Sequence, residues 1–511
     1  MPRYAAIDIG SNSTRMLAAD VTPGVPPRIL AQDRQVTRLG ESVFRSGAVS
    51  EEAITLACTV LARMAEQYRK LDVVGVRAVA TAAIRDTRNP AEFLERTSQA
   101  VGTPVETISG REEARLIHLG VASRWPHPHK RLLLIDIGGG SAEIVAAEDG
   151  RMREAVSKPL GALRLREMFV EADPPAPLEL HRMQEYIEEK LLGLAERFGP
   201  GPWDRAIATS ATASAVVCAV NRIPRARRDE ADRHRASAAE VRKLQAKLTL
   251  LDVAGRRKVT GIGPSRAEII VPGTMVLRVL LETFELPSVY FSLAGVRDGI
   301  VADLAARGVG RELSALSREQ RREVERVSRK YAVPLAHSRK VAELAHALFT
   351  GLHPLHELAP NYGRLLQAAA YLHDVGHYVN DASHHKHSYY LVANSDLSGF
   401  TSRERELIAN LSRYHRKAMP VAAHANLQAL GAEEKRALLL LAPLLRLADN
   451  LDRRHEQRVR ALECRVKDGQ VEIRLEGSGD IDLERWAAER AGGAFREVYG
   501  KALALIEVRG E

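Results

Sequence analysis

The chain has 511 residues, 45% hydrophobic and 27% charged, with a formal net charge of +9. That is room for about three domains of ordinary size in a globular protein, and the positive charge favours anionic partners without choosing among nucleic acid, nucleotides and inorganic polyanions. Three widely spaced cysteines (Cys58, Cys218, Cys464) exclude a disulfide framework or a cysteine metal motif and suit a reducing cytoplasm. The N-terminus is expected to run straight into a strand, without a signal peptide. The most apolar stretch, 438–447, carries Pro443 and Arg446 and is too short to span a membrane.

The first informative stretch is Ala6-Ile7-Asp8-Ile9-Gly10-Ser11-Asn12-Ser13, followed by the apolar Met16-Leu17-Ala18. It predicts a strand, a tight turn and a returning strand. The turn lacks bulk, so its amides can close on an anion. A strand is expected near 28–34, then a helix over about 50–70 with Ile54, Leu61, Met64 and Tyr68 near one face and Ser50 as N-cap. A strand over 73–80 leads into Thr81-Ala82-Ala83-Ile84-Arg85, which opens a further helix. Arg85 reads either as a clamp on phosphate oxygens or as a surface ion pair. A short strand at 105–108 precedes a helix over 111–121. Ser109 and Glu112 have capping-box spacing, which gives Glu112 a structural task. Glu113 then stands in the first turn, where the helix dipole favours its ionised form. A carboxylate placed there beside a bound phosphate can activate water.

The theme repeats at Ile135-Asp136-Ile137-Gly138-Gly139-Gly140-Ser141-Ala142-Glu143. Asp8 and Asp136 lie 128 residues apart, so the pair suggests duplicated halves facing one another across a phosphate. Asp8, Asp136 and Glu143 together offer hard oxygen ligands of the kind that suit Mg²⁺. Helices are expected around 161–170 and 178–197, a strand at 205–208 and a small-residue turn at 209–213. This alternation argues for α/β layers. Residues 221–236 carry six arginines against three acids, read as a solvated loop or as a basic lip for a long anion.

After about residue 306 the pattern changes. Gly308, Gly310 and a charged run through Lys330 make a linker or leading helix. Helix dominates from 334 to about 450, and a strand pair (463–466, 471–475) and a last helix (483–499) follow. His337, His373-Asp374 and Asp449 stand on separate predicted helices and can enclose a divalent metal, since neutral imidazole and carboxylate are suitable ligands. His377, His384, His385, His387 and His415 read as supporting groups, phosphate ligands or plain polar surface.

The motifs around Asp8 and Asp136 resemble those of the exopolyphosphatase / guanosine pentaphosphate phosphohydrolase family, as do Ala80-Thr81-Ala82-Ala83-Ile84-Arg85-Asp86 and Ser109-Gly110-Arg111-Glu112-Glu113-Ala114-Arg115-Leu116. Arg266-Ala267-Glu268-Ile269-Ile270-Val271-Pro272-Gly273 and Leu293-Ala294-Gly295-Val296-Arg297-Asp298-Gly299 extend the likeness over nearly the whole chain. The resemblance implies an α/β fold of two actin-like (ASKHA, ribonuclease H-like) domains, 1–125 and 126–305. A linker over 306–320 and a mainly α-helical, HD-like domain over 321–511 would follow. It implies that Glu113 is the catalytic carboxylate and that Asp8, Asp136 and Glu143 arrange Mg²⁺ (or Mn²⁺) and phosphate. Arg85 would grip substrate, and Asn12, Ser13, Gly138, Gly139, Gly140 and Ser141 would line the phosphate path.

The order His337, His373-Asp374, Asp449 resembles the HD phosphohydrolase superfamily and implies a second divalent metal, with or without a second hydrolase activity. His384-His385-Lys386-His387-Ser388 resembles a segment of the first family's long forms. The expected activity is release of orthophosphate from inorganic polyphosphate. The alternative is hydrolysis of guanosine pentaphosphate, a guanosine polyphosphate. A reading of another class is a polyphosphate- or nucleotide-sensing module. Neither a membrane nor nucleic acid is an expected partner, and the long members imply a homodimer.

Overall fold

The computed structural model describes residues 1–22, 25–199, 201–307 and 314–508. It divides into two compact units, Met1–Gly310 and Arg311–Glu511. Residues 308–313, inside the expected linker, lie outside the described residues.

The N-terminal unit carries two sheets of matching topology. In the first, β1 (Arg3–Ile9), β2 (Ser13–Asp20) and β3 (Arg28–Val36) form an antiparallel meander, and β4 (Gly75–Ala80) and β5 (Val105–Thr107) add parallel to β1 in the order β3-β2-β1-β4-β5. In the second, β6 (Arg131–Ile137), β7 (Ala142–Glu148) and β8 (Arg151–Lys158) repeat the meander. There β9 (Arg205–Thr209) and β11 (Ser288–Phe291) repeat the parallel additions, with β10 (Arg235–Ser237) antiparallel at the edge. The central strands are apolar on both faces, as sheets covered by helices require. Ala5, Ala6, Ile7, Leu133, Leu134 and Ile135 are all buried.

Helix Glu51–Arg69 starts at Ser50, whose side chain accepts from the Ala53 amide, and buries Ile54, Leu61, Met64 and Tyr68 as its periodicity predicts. Helix Gly110–Arg124 is different. Every residue from Glu112 to His118 is buried, because it packs on both sheets. Leu116 joins Tyr4, Ala6 and Val79, while Ala114 and Val121 join Leu132, Leu134 and Val145.

Helix Val296–Ala306, expected with the second half, instead lies against the first sheet through Ile300, Val301 and Leu304. It crosses helix Gly110–Arg124 at glycines: a Cβ on Gly299 would stand 1.8 Å from the Leu116 carbonyl oxygen, and one on Gly120 2.2 Å from that of Gly295. The stretch expected as a turn at 209–213 is the end of β9 and the start of helix Ser210–Val220.

The C-terminal unit is mainly helical around one core that includes Leu348, Leu366, Ile408, Leu441 and Phe495. The expected strand pair is present as Val459–Val466 and Gln470–Gly477, and a third strand absent from the sequence reading, Ala502–Val508, pairs parallel with the latter. Among the described residues no helix is long and apolar enough to cross a membrane.

Candidate active-site cleft and histidine cluster

The two hairpins of the N-terminal unit have turns built alike. The Gly10 amide donates to the Ser13 carbonyl at 3.2 Å, and the Gly138 amide to the Ser141 carbonyl at 2.9 Å. The turns face each other closely: a Cβ on Gly139 would lie 3.0 Å from the Asn12 amide nitrogen, and one on Gly140 2.5 Å from Ser11 Oγ. Only glycine permits that approach. The cross-strand partners differ. Asp8 stands opposite Arg15, whereas Asp136 stands opposite Glu143. The duplicated halves thus carry a cation at one position and a carboxylate at its counterpart.

Between them lies a cavity of about 430 Å³ lined by Asp8, Asn12, Ser13, Glu113, Asp136, Gly138, Gly139, Gly140 and Ser141. Nine of the cleft residues expected from the sequence therefore share one space. Arg85 and Glu143 are not in that lining. Arg85 donates from Nη1 to Glu113 Oε2 at 2.8 Å and to the Ile108 carbonyl at 2.9 Å, so in this structure it grips the carboxylate rather than the open cavity. Glu143 is buried and accepts from Ser157 Oγ at 2.7 Å. Thr209 Oγ1 donates to Asp136.

Two adjacent glutamates have opposite electrostatics. Burial pushes up the pKa of Glu112, but Arg115 and Arg77 outweigh it and hold the group below its ordinary value. Its carboxylate pairs with Arg115 at 2.7 Å and with Arg77 at 3.1 Å, a structural task in an ion network rather than in the cap alone. Burial pushes Glu113 up to about 7 against the pull of Arg85, with Asp8 and Asp136 adding to the rise. Burial likewise raises Asp8, Asp136 and Glu143, the last also through Glu113 beside it. Four carboxylates raised together make a site that favours a cation, and an all-oxygen donor set fits a hard divalent ion. Asn12 Nδ2 is buried without a partner and supplies a donor for an anionic oxygen.

Sequence reasoning missed the arginines. Arg15, Arg34, Arg266 and Arg297 line the same cavity, together with Arg225 and Arg228 of the expected basic lip. Burial, then the nearby Arg15, Arg266, Arg228 and Arg225, push Arg34 down to about 9. Burial and Arg15 bring Arg266 and Arg297 to about 10. Such crowding of like charge is relieved by a polyanion. The available signal was the in-register pairing of Arg15 with Asp8 and the quoted motifs that contain Arg266 and Arg297. The lip itself is partly self-paired, since Arg227 binds Glu230 at 2.6 Å.

In the C-terminal unit the four expected metal ligands converge. His337 Nε2 lies 3.5 Å from Asp449 Oδ1 and 3.8 Å from Asp374 Oδ2, and His373 Nε2 lies 3.4 Å from each of the same oxygens. Both Nε2 atoms are buried with no hydrogen-bond partner. Burial works against charge on His373, but Asp374 and Asp449 hold its pKa up to about 9.

The model of the Ppx/GppA phosphatase family matches residues 17–307, and that of Ppx/GppA phosphatase, domain III, matches residues 320–485. A guanosine-5'-triphosphate,3'-diphosphate pyrophosphatase of Vibrio vulnificus is 27% identical over 89% of this chain and 88% of its own length. Among solved structures, the Aquifex aeolicus PPX-GPPA enzyme is 29% identical with a TM-score of 0.52, covering 59% of this chain and 99% of that one. An exopolyphosphatase-like protein is 26% identical with a TM-score of 0.55, covering 59% and 97%.

Proposed function

The chain belongs to the Ppx/GppA phosphatase family, and from that premise we propose that the cleft hydrolyses the terminal phosphoanhydride at the 5′ end of guanosine 5′-triphosphate 3′-diphosphate. The sequence reading put inorganic polyphosphate first. The name carried by the Vibrio vulnificus relative, which matches along most of both chains, favours the guanosine compound, and polyphosphate becomes the second reading. The arginine-lined cavity supports that second reading too, because both substrates present a chain of phosphates.

One observation carries the proposal: two anion-sized turns and one buried glutamate share a single cavity ringed by arginines. The turn amides and Asn12 Nδ2 would take the oxygens of the terminal phosphate. The arginines beyond them would hold the phosphates that follow. Asp8, Asp136 and Glu143 would hold a divalent cation, which supplies neutralisation of charge on the transferring group. Glu113, with a pKa near 7, has the basicity of a general base at neutral pH. It would take a proton from water as the water oxygen bonds to phosphorus and the bond to the bridging oxygen breaks. Arg85 positions that carboxylate. The products are orthophosphate and a nucleotide shorter by one phosphate.

The test is orthophosphate release from the two substrates at equal terminal-phosphate concentration. A higher kcat/KM for the guanosine compound upholds the first reading, and the reverse installs polyphosphate. Glu113→Gln should lower kcat by about 100-fold or more for either substrate with little change in substrate binding. Activity retained in that variant would refute the assigned role.

A further inference from the structure

Each hairpin turn of the cleft is fastened to a helix behind it. The Asn12 carbonyl accepts from the Thr37 and Arg38 amides, both at 3.2 Å, and the Ser11 carbonyl accepts from the Gly40 amide at 2.7 Å, where helix Leu39–Ser46 starts. In the second half the Gly138 carbonyl accepts from the Ala162 amide at 3.0 Å. The Gly139 carbonyl accepts from the Leu163 and Arg164 amides at 2.9 and 3.0 Å, where helix Ala162–Phe169 starts. The third residue of the first helix is Glu41 and that of the second is Arg164, so the arginine has no duplicate at the matching position.

Arg164 joins three elements with one guanidinium. Its Nε donates to the Gly140 carbonyl at 2.6 Å, and its Nη2 donates to the Asp86 carboxylate. Its Cζ stands 4.1 Å from the ring centroid of Phe44, on helix Leu39–Ser46. The side chain is 15% exposed. Holding a carbonyl fixes more than one oxygen, because a peptide unit is planar and trans, with its N–H directed opposite to its C=O. The Gly140 carbonyl shares that plane with the Ser141 amide, so Arg164 sets the direction of the Ser141 N–H. Among the described residues no backbone carbonyl accepts from that amide, and Ser141 lines the cavity.

Asp86 is the last residue of the short helix Ala82–Asp86, directly after Arg85, which grips Glu113. The same helix touches both turns. The Ala83 amide donates to Ser11 Oγ at 3.1 Å, and a Cβ on Gly140 would stand 2.8 Å from Ala82 Cβ. A continuous path thus runs from the Gly140 carbonyl through Arg164 to Asp86, and across one peptide link to Arg85 and Glu113. A guanidinium suits such a bridge because its donors sit in a rigid planar fork, and the bond to a carboxylate is of the stronger, charge-assisted kind.

We infer that Arg164 is a positioning residue for the hydrolysis: it aims the Ser141 amide at the terminal phosphate and, through Asp86, holds that turn in register with the Arg85–Glu113 pair. The inference rests on the cleft being the site of phosphoanhydride hydrolysis and applies to either substrate. Arg164 is absent from the cavity lining, so it acts through the groups it holds. A donor fixed in advance stabilises the charge that develops on the transferring group. Its loss therefore falls on kcat rather than on KM.

Orthophosphate release by the full-length chain tests the role. Arg164→Ala should lower kcat about 10–100-fold with KM within about threefold of wild type. A kcat within about twofold of wild type would overturn the inference. Arg164→Lys should lose nearly as much, because an ammonium is a point charge that reaches one partner and not both. Full recovery by lysine would mean long-range attraction of the substrate and would overturn the bridge. Asp86→Asn should also lower kcat, and combining it with Arg164→Ala should add little further loss. Additive losses would overturn the link through Asp86.

Arg45 supplies the control. It pairs with Glu167 at 2.7 Å across the same two helices, and among the described residues it bonds to neither turn. Arg45→Ala should leave kcat unchanged, and a loss equal to that of Arg164→Ala would mean that helix docking alone matters. Circular dichroism shows whether each variant is folded. Should Arg164→Ala not fold, Arg164→Lys and Asp86→Asn carry the decision. Absence of orthophosphate release by wild type from both substrates would overturn the hydrolase reading and this inference together, whereas an active wild type with an unimpaired Arg164→Ala overturns this inference alone.

Discussion

Asp303→Asn should destabilise the N-terminal unit by about 3–5 kcal/mol, the cost of breaking a buried ion network by removing one partner. Asp303 is 4% exposed. It binds Arg115 at 2.7 Å, Arg77 at 3.0 Å and Arg307 at 2.6 Å. Glu112 binds Arg77 and Arg115, and Glu106 lies 3.8 Å from Arg77. Within this set three guanidiniums face three carboxylates. The substitution leaves three against two within this set, where helices Gly110–Arg124 and Val296–Ala306 meet the first sheet.

The measurement is urea unfolding followed by tryptophan fluorescence in a Trp486→Phe background. Trp486 is exposed and lies in the C-terminal unit, so the remaining signal comes from Trp125 and Trp203 of the N-terminal unit. The pH dependence has a definite sign. Burial would raise the Asp303 pKa, but Arg115, Arg307 and Arg77 hold it far below the ordinary carboxylate range. Its contribution is therefore present above the unfolded pKa of about 3.9 and is lost as pH falls below it. Wild-type stability should decline below about pH 4, and the variant should decline less over the same interval. A loss smaller than about 1 kcal/mol at neutral pH, the size of an exposed pair, would refute the idea that this network holds helix Gly110–Arg124 in place.

Gly299→Ala would drive a Cβ to 1.8 Å from the Leu116 carbonyl oxygen. Since backbone cannot yield as a side-chain tip does, unfolding should show a loss of about 1–3 kcal/mol or more. Ser157→Ala removes the 2.7 Å hydrogen bond to Glu143, and a Mg²⁺ titration of orthophosphate release should shift to about 10–100-fold higher concentration with the maximal rate recovered. Replacing Arg225 and Arg228 with Gln should lower kcat/KM about tenfold at low ionic strength, more for long polyphosphate than for the guanosine compound. That difference should fade toward 1 M salt, and a salt-independent loss would mean the arginines act by something other than long-range attraction.

Local patterning carried much of the N-terminal unit. Apolar runs broken by Asp-Ile-Gly told of strand, turn and strand, and the same turn hydrogen bond closes both. Ser50 and Ser109 marked helix starts because a side-chain oxygen answers an unpaired amide within three residues. The Ser109 cap was legible because capping is local, whereas the pairing of Glu112 with Arg77 and of Glu113 with Arg85 was not. The third strand of the C-terminal sheet was not, because Ala502–Val508 has a partner only once Gln470–Gly477 is in place.

The sequence by itself determined the residue types of both sites and their order. An acid at a strand end, a bulkless turn and a helix-start glutamate are each set by neighbours within a few residues. Only the tertiary structure decided what they meet. Arg85 turns to Glu113 from 28 residues away, and Arg34, Arg225 and Arg266 come to one cavity from three distant elements. Asp374 came to lie between two sets of histidines drawn from five helical segments. Charge acts over ångströms in space and takes no account of separation along the chain, so the electrostatics of both sites could be read only after folding had set those distances.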